Sequence, residues 1–379
     1  MTPNPEFVVQ ANGEVRQAGA TQASGAFVKE LKTTAQGNLY VFTKGILGLN
    51  RLTPTLHLPI CNWLQRVPPY RKMLLIPRDC LKTSMAKSFC IHTTIQDAET
   101  NCYLPGMIGT ETRILIACES STNAEHSLGW IEAHWESNTL LRALWPHCVW
   151  SNPRRDAPHW NAKEMTLPRK TPYNEQTIET IGVGGAIASR HYNILFKDDL
   201  ISRAAANSSL VMEDSWGWHI ASRALFDDPE KSLEMMTGTH WAVNDVWQRV
   251  RDGDMTVDSV VRSLIENGES IFPELFPMRV IEQLMKPELQ GGEGTLFWLN
   301  RMNMPINPDL SDFDETTFKF YTLDGDGQIV LAAGEPTLSA REAFPEIALP
   351  QSPVFPPGTR MTPDIMRQMA QGGARMRFV

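Results

Sequence analysis

The sequence lacks paired cysteines, a surplus of basic residues and long apolar runs. Its six cysteines are scattered over 379 residues without a CxxC pair, which disfavours a zinc site and a disulfide framework and fits a reducing cytoplasm. The formal net charge of -8 argues against a chain coated in basic surface, the simplest footprint of a nucleic-acid binder. No run approaches the length that crosses a bilayer, and no basic and then apolar leader opens the chain. We therefore expect a cytoplasmic protein with no membrane partner.

What the sequence does contain is an alternation of strand-length apolar runs and helical stretches. The strand candidates are 72–76, 113–118, 193–196 and 233–237, and the helix candidates are 84–100, 127–144, 246–250, 257–266 and a stretch from 273–277 to 285. Two further helices are expected between 39 and 66. Strands that alternate with helices predict an α/β fold, with a mainly parallel central sheet flanked by helices.

Composition divides the chain into four parts. Residues 1–38 are rich in Ala, Gly, Gln and Thr and predict a flexible arm with room for one short helix. Residues 39–270 carry the strand and helix pattern behind a helical lead-in. Residues 271–335 predict a linker or lid segment, and the Pro-, Gly-, Arg- and Met-rich residues 336–379 predict a mostly disordered tail.

A phosphate-binding loop is predicted between the first strand candidate and the helix that follows it. The segment 76–83 reads Ile-Pro-Arg-Asp-Cys-Leu-Lys-Thr. Lys82 and Thr83 stand where such a loop places the lysine that reaches the β/γ-phosphates and the hydroxyl that reaches magnesium. The consensus glycines are missing, so an exposed Lys-Thr pair that merely opens a helix stays an alternative. Lys87 and Ser88 are rejected as that pair, because the helix is already under way there.

Two adjacent carboxylates close the third strand candidate. Asp198 and Asp199 follow the apolar run 193–196, at what becomes the carboxyl edge of a parallel sheet, where ligands of open α/β folds bind. Asp198 is predicted to hold magnesium through its shell, and Asp199 to orient or deprotonate the attacking water. The alternative is a capped loop in which the pair only starts the next helix. The loop and the acidic strand, in this order, favour binding of ATP with Mg²⁺.

Together these segments resemble large terminase subunits, the ATPases that package viral genomes, from about Leu39 to Phe313. The matching segments are 47–48, 52–54, 56–57, 61–64, 77–78 with 82–83, 114–121, 136–144, the glycine-rich 181–192, 198–199, 237–241 with Asp245, and 272–277. The resemblance implies an ASCE-type P-loop NTPase core in residues 39–270, with Walker A at 77–83 and Walker B at 198–199. It also implies a homo-oligomeric ring on the portal protein of a procapsid in the host cytoplasm, pumping double-stranded DNA that a small terminase subunit presents.

The resemblance also implies individual residue roles. Thr237 and Thr239 would sense the γ-phosphate and transmit its loss to the moving part. Arg78 would stabilise transition-state charge in cis, with Arg142 and Arg190 as alternatives supplied by a neighbouring subunit. The predicted nucleotide-binding set is Pro77, Arg78, Asp79, Cys80, Leu81, Lys82 and Thr83, and the predicted metal set is Thr83 and Asp198.

Other residues of the matching segments have a structural interpretation beside the functional one. The glycines of 182–185 fit a tight turn, His191 fits packing beside the strand, and His240 with Trp241 fits a packed loop anchor. A metal site built from His57, His191 or His240 has no ligand spacing behind it.

The chain departs from the family after the motor. Full-length members continue into a ribonuclease-H-like nuclease that needs several separated carboxylates, whereas about 100 residues follow Pro277. Asp324 and Asp326 could open such a site, but Asp-Gly-Asp-Gly between two apolar runs is better interpreted as a hairpin turn. Nuclease activity is therefore not expected in this chain, and the nuclease is either lost or a separate polypeptide.

Three functions stay open from the sequence. The first is a magnesium-dependent ATPase that translocates double-stranded DNA during packaging. The second is a non-hydrolysing assembly or DNA-docking remnant, kept open by the glycine-free loop and the missing nuclease. The third, a helicase on the same core, needs strand-engaging elements that the sequence does not show. Because the chain is acidic, any DNA contact must be local or shared among subunits, and the arginines of the tail fit a solvated segment better than a DNA site.

Overall fold

The computed structural model describes residues 25–186, 189–206, 208–242, 244–286 and 295–304, and the backbone of four short strands outside these ranges. The chain divides into two compact units, Met1–Asn307 and Pro308–Val379. All predicted site residues belong to the first unit. The predicted domain boundaries after residues 38, 270 and 335 stay predictions.

Helices alternate with strands along much of the described chain. The helices are α1 Gly25–Gly37, α2 Leu39–Val41, α3 His57–Gln65, α4 Lys82–Thr94, α5 Ser121–Ser137, α6 Thr139–Leu144, α7 Pro153–Asp156, α8 Arg203–Ala206, α9 Ser209–Ala221, α10 Val246–Gly253, α11 Met278–Leu284 and α12 Thr295–Asn300, with a π-helical turn at Phe42–Ile46. The strands are β1 Phe7–Val9, β2 Val15–Gln17, β3 Arg71–Leu75, β4 Ile114–Cys118, β5 Trp160–Asn161, β6 Glu164–Met165, β7 Ile178–Gly182, β8 Ile194–Asp198, β9 Leu233–Gly238, β10 Asp258–Val261, β11 Ile265–Glu266, β12 Glu269–Ser270, β13 Tyr321–Leu323 and β14 Ile329–Leu331.

An eight-stranded sheet lies at the centre of the first unit. Its strand order is β10-β3-β9-β8-β4-β7-β6-β5. Neighbouring strands from β10 to β7 are parallel, and β6 and β5 add an antiparallel edge. The predicted α/β fold with a mostly parallel central sheet flanked by helices is thereby confirmed.

The inner strands form where the sequence is apolar at successive positions. All five residues of β4 are buried. Along β3, Leu74 packs in a core that includes residues of α4 and α5, whereas Met73 and Leu75 pack in a second core with residues of α9 and α10. A parallel sheet covered on both faces needs such continuous apolar runs, because alternate side chains enter opposite cores. The four predicted strands correspond to β3, β4, β8 and β9.

The helix predicted over 257–266 is wrong. Residues Asp258–Val261 form β10, which pairs in parallel with β3, and Ile265–Glu266 form the short strand β11. The β-branched residues Val257, Val260 and Val261 favour a strand. Over so short a stretch, the spacing of these valines also fits a helix. The stretch forms a strand because it pairs with β3.

The helices that begin after β3 and β4 differ from prediction at their ends. The first is α4, which covers 82–94 rather than 84–100. The second stretch, predicted over 127–144, splits into α5 and α6 at Asn138. The Asn138 side chain accepts a hydrogen bond from the Leu141 amide at 2.9 Å, which is the usual role of asparagine at a helix N-cap.

Two smaller findings complete the fold. In the second unit β13 pairs antiparallel with β14, with Leu323 opposite Ile329, so the predicted hairpin strands are confirmed. The turn with Asp324 and Asp326 lies outside the described residues. Among the helices that the structure describes, none is long and apolar enough to cross a membrane.

Candidate functional site

Three predicted site segments and the end of β4 meet at one edge of the central sheet. In the registers of the parallel strands, Leu75 pairs with Gly238, and Asp198 pairs with both Thr237 and Cys118. The strands β3, β9, β8 and β4 therefore end side by side. Because they are parallel, the loops that leave them all lie at this carboxyl edge, where open α/β folds bind ligands.

The loop after β3 turns through two left-handed residues and contains no glycine. Asp79 and Leu81 are left-handed, with φ of 68° and 62°, and Leu81 is the N-cap of α4. A left-handed backbone costs a residue with a Cβ about 1–2 kcal/mol, which is why glycine usually stands at such positions. The loop conformation is thus kept against a local cost at two residues.

Backbone amides at the start of α4 are available to a ligand. Within the described residues, the amides of Leu81, Lys82, Thr83 and Ser84 have no hydrogen-bond partner, and the helix ladder begins with the Met85 amide donating to the Leu81 carbonyl at 2.9 Å. Such N-terminal amides and the helix dipole favour an anion. Lys82, only 7% exposed, adds a positive charge at the start of the same helix.

Asp198 joins the loop to the neighbouring strand. Its Oδ1 accepts a hydrogen bond from Thr83 Oγ1 at 3.1 Å and a second one from Thr237 Oγ1. Asp198 is the last residue of β8. Its Oδ1 therefore connects this strand to the first turn of α4 and to the carboxyl end of β9. The residues predicted for magnesium and for γ-phosphate sensing come together here.

Burial makes Asp198 an unusually weak acid. Asp198 is 5% exposed. Burial is the larger cause and the negative charge of Asp199 the smaller one that raise the pKa of Asp198 from 3.8 to about 6. The hydroxyls of Thr237 and Thr83 and the charge of Lys82 act in the opposite direction. A cation bound beside Asp198 would favour the charged carboxylate.

Asp199 is held by its backbone, and its carboxylate is left unpaired. Its backbone is left-handed, with φ of 44°. Its amide donates to the Thr237 carbonyl at 2.9 Å, and its carbonyl accepts from the Glu119 amide at 3.1 Å. Asp199 Oδ1 is buried without a hydrogen-bond partner among the described residues. A buried acceptor of this kind is available for a water molecule or for the shell of a metal ion.

Glu119 and Ser202 belong to the site but had no predicted role. Glu119 follows β4, and its Oε1 accepts a hydrogen bond from Ser202 Oγ. Its backbone amide contacts Asp199, as described above. The available signal was the position of Glu119 directly after a buried strand, which is the same position that Asp199 has after β8.

The segment after β9 is packed rather than open. A Cβ at Gly238 would lie 2.3 Å from the Trp247 ring nitrogen, so only glycine fits between the two threonines. Thr239 is 3% exposed. His240 Nδ1 lies 3.1 Å from Asp245 Oδ1, and Asp245 caps α10. These contacts agree with the interpretation of this histidine as a loop anchor.

Of the three candidate arginines, only Arg78 lies in the loop. Its side chain is exposed. Arg142 donates to the carbonyls of Trp135, Trp150 and Ser151, and follows α5, a helix that leads about 25 Å away from the edge. Arg190 precedes β8 and so lies at the opposite edge of the sheet. In one chain, neither reaches Asp198, and a role in a neighbouring subunit stays a prediction.

The residues at the edge fit a magnesium ion that is shared with a nucleotide. The described residues contain no group of three or more His, Cys, Asp or Glu that could hold a metal ion. Magnesium in nucleotide sites takes one or two protein oxygens together with phosphates and water. Thr83, Asp198 and the unpaired Asp199 Oδ1 supply such oxygens.

A scan against models of known protein families gives no match for this chain, and a search of curated proteins gives none either.

Proposed function

We propose that this chain is a magnesium-dependent ATPase motor that translocates double-stranded DNA into a viral procapsid. The observation that carries the ATPase part is the convergence on Asp198. The hydroxyls of Thr83 and Thr237 donate to one oxygen of this carboxylate, beside a helix start with unpaired amides. Hydrolysis of ATP needs phosphate-binding, metal-binding and water-orienting groups at one place, and this arrangement would bring them together.

The strand order supports an ASCE-type P-loop core. In that class an additional strand separates the strand of the phosphate loop from the strand of Walker B. Here β9 lies between β3 and β8, and Thr237, the predicted sensor, is its last residue but one. With this order, Thr237 lies between the loop that would hold the phosphates and the carboxylates that would act on them, which supports its proposed role as a sensor.

Each residue has a defined part in hydrolysis. Lys82 and the amides at the start of α4 bind the β- and γ-phosphates. Thr83 and Asp198 hold the magnesium ion, which neutralises phosphate charge when bound. Asp199 orients the attacking water and accepts its proton. Thr237, through its hydrogen bond to Asp198, responds when the γ-phosphate leaves.

The DNA-packaging part of the proposal rests on the terminase-like segments. They favour a ring of copies on the portal protein of a procapsid, with a small terminase subunit as a further partner. The alternative, a non-hydrolysing remnant, is favoured by one observation. Asp79 and Leu81 occupy left-handed positions at which an active loop would be expected to carry glycine.

ATP hydrolysis by the purified chain tests the proposal. Activity is measured with magnesium, with and without double-stranded DNA, for the wild type and for Lys82→Ala and Asp199→Asn. We expect DNA-stimulated hydrolysis in the wild type and a loss of at least about 100-fold in both variants. The matched controls are Lys163→Ala and Asp252→Asn, both at exposed positions. A folded chain that neither binds nor hydrolyses ATP, even with DNA, would leave the remnant as the answer.

A further inference from the structure

The predicted phosphate-binding loop is held from outside by Asn300 and Arg301. The Asn300 carbonyl accepts a hydrogen bond from the Arg78 amide at 2.8 Å. The Arg301 guanidinium donates through Nη1 to the Arg78 carbonyl oxygen, and through Nη2 to Asp79 Oδ2 at 2.7 Å. Three hydrogen bonds thus fix Asp79, the first left-handed residue, and the residue before it.

Arg301 is itself tied to the sheet. Its carbonyl accepts from the Leu264 amide at 2.8 Å, its guanidinium lies 4.8 Å from the centre of the Phe276 ring, and its side chain is only 16% exposed. Just after β10, the Arg262 amide donates to the Leu75 carbonyl at 2.9 Å. Because Leu75 ends the strand from which the loop departs, the Arg301 contacts hold the loop relative to its own strand.

Glycine usually takes the left-handed positions of such a loop, because it has no Cβ. Here Asp79 and Leu81 take them, and the loop needs another means to keep this backbone. We propose that Arg301 is a positioning residue that keeps the glycine-free loop in its phosphate-binding conformation. The identity of the ligand as a nucleotide rests on the proposed function. The stabilisation of the loop by Arg301 does not depend on it.

The proposal separates binding from catalysis. Without Arg301, Asp79 and Leu81 relax toward conformations that side chains with a Cβ prefer, and the amides of the loop no longer point at one place. A nucleotide must then order the loop when it binds, which weakens its apparent affinity. The bound complex is unchanged, so KM for ATP rises while kcat changes little.

Opening of the loop can be measured without any nucleotide through Cys80. Its side chain is buried, and burial raises the pKa of the thiol from 9.0 to about 12, so the closed loop protects it from alkylation. Peptide mass spectrometry gives the alkylation rate in the wild type and in Arg301→Gln. We expect Cys80 to react about tenfold faster or more in the variant. The charge of Arg301 lowers this pKa, so its loss alone would slow the reaction, and a faster rate reports opening.

Two controls separate loop opening from unfolding. Cys90, on α4 and fully buried, reports general unfolding in the same sample, and its rate should not change. Arg262→Gln is the matched arginine variant, because the Arg262 side chain pairs with Glu266 at 2.7 Å and, among the described residues, has no hydrogen bond or ion pair with the loop. A wild-type rate at Cys80 in Arg301→Gln overturns the proposal, and so does an equal acceleration of Cys80 and Cys90.

Glycine in the loop supplies the rescue. Arg301→Gln is expected to raise KM for ATP about tenfold in the wild-type loop. In a chain that already carries Leu81→Gly, which removes no hydrogen-bond partner of Arg301, the same change should raise KM by a smaller factor, because the two effects share one cause. Equal effects in both backgrounds overturn the proposal. If the wild type does not hydrolyse ATP, the proposed function fails, and the Cys80 rates still decide on Arg301.

Discussion

At the scale of single residues, the proposed magnesium binding needs the charged form of the Asp198 carboxyl, whereas its burial favours the protonated form. Its pKa is about 6 in the folded chain and near 3.9 when unfolded. The folded state therefore holds the proton more tightly, and this contribution to stability is present below about pH 4 and lost as pH rises to about 6. We expect Asp198→Asn to be more stable than the wild type at pH 7.5, by on the order of 2 kcal/mol, and inactive with magnesium and ATP.

Urea denaturation at pH 4 and pH 7.5 measures this difference. The advantage of Asp198→Asn should shrink at the lower pH, where the wild-type carboxyl is also protonated. Asp252→Asn, at an exposed position, controls for the loss of one negative charge. A variant less stable than the wild type at pH 7.5 would show that Lys82, Thr83 and Thr237 stabilise the charge more than burial opposes it.

Thr237 sets the pH at which Asp198 becomes usable. Its hydroxyl donates to the carboxylate and lowers the pKa of Asp198, so removal of the hydroxyl raises that pKa further. The proposed hydrolysis needs the charged carboxylate for magnesium. In Thr237→Val, activity should therefore be lost at a higher pH than in the wild type as pH falls. Thr180→Val, which removes a hydroxyl bonded to the Lys163 carbonyl, should keep the wild-type midpoint.

The pH dependence of ATP hydrolysis at fixed magnesium tests this second prediction. Raising the magnesium concentration should move both midpoints to lower pH, because cation and proton compete for one carboxylate. If the midpoint of Thr237→Val equals that of the wild type, Asp198 is not the group whose ionisation controls hydrolysis.

Residue types at the site were predictable from the sequence, and the loop backbone was not. Lys82, Thr83, Asp198 and Asp199 stand beside strand ends whose position follows from apolar runs. The left-handed conformation of Leu81 has no signal in the sequence, because leucine rarely adopts it. The contact from Arg301 is a tertiary one over more than 200 positions, and no local pattern predicts such a pairing.

At the scale of elements, a buried charged group connects three inner strands. Glu234 on β9 accepts from Lys197 on β8 and lies 3.5 Å from Arg71 on β3. Arg223 stands 3.9 Å away. Burial lowers the pKa of Lys197, and the nearby cations hold the pKa of Glu234 low against burial. Asp254 is a second carboxylate beside the two arginines, 3.5 Å from Arg71 and hydrogen-bonded to Arg223. Among the described residues, Glu234 is therefore the carboxylate that pairs with Lys197.

Loss of Glu234 should therefore cost more than loss of any one cation. Glu234→Gln leaves the buried Lys197 without a carboxylate partner, whereas Arg71 and Arg223 keep Asp254. We expect a loss of about 3–5 kcal/mol in the free energy of unfolding. Lys197→Met leaves Glu234 paired with Arg71 and Arg223, so its cost should be smaller. Urea denaturation with unchanged m-values checks the order. The reverse order would show that Lys197 alone satisfies Glu234.

Elements were predictable where one pattern dominated. The run that became β4 is apolar throughout, and those that became β3, β8 and β9 are mainly apolar, which favours buried strands. By contrast, β7 reads Ile-Glu-Thr-Ile-Gly. Because of its polar residues, it was not predicted as a strand. Its place beside β4 is set by pairing. The same holds for β10, where a short mixed run took its structure from the neighbouring strand rather than from its own sequence.

At the scale of the whole molecule, an acidic chain is proposed to act on an acidic polymer. The net charge of -8 repels DNA at a distance, so affinity must come from a few lysines and arginines that face it locally or around a ring. Such contacts release counterions and weaken steeply with salt. The sheet edge with Asp198 should be less sensitive, because its charges are buried and screened little.

DNA stimulation and basal hydrolysis should therefore respond differently to salt. If each copy contacts about four phosphates, DNA affinity should fall about 100-fold between about 50 and 200 mM salt, while hydrolysis without DNA changes less than about threefold. The measurement is the DNA concentration that gives half-maximal stimulation, taken at several salt concentrations in this range. The slope of its logarithm against the logarithm of the salt concentration gives the number of phosphates contacted. A stimulation that is insensitive to salt would contradict a backbone contact, and equal losses with and without DNA would place the effect in the ATP site instead.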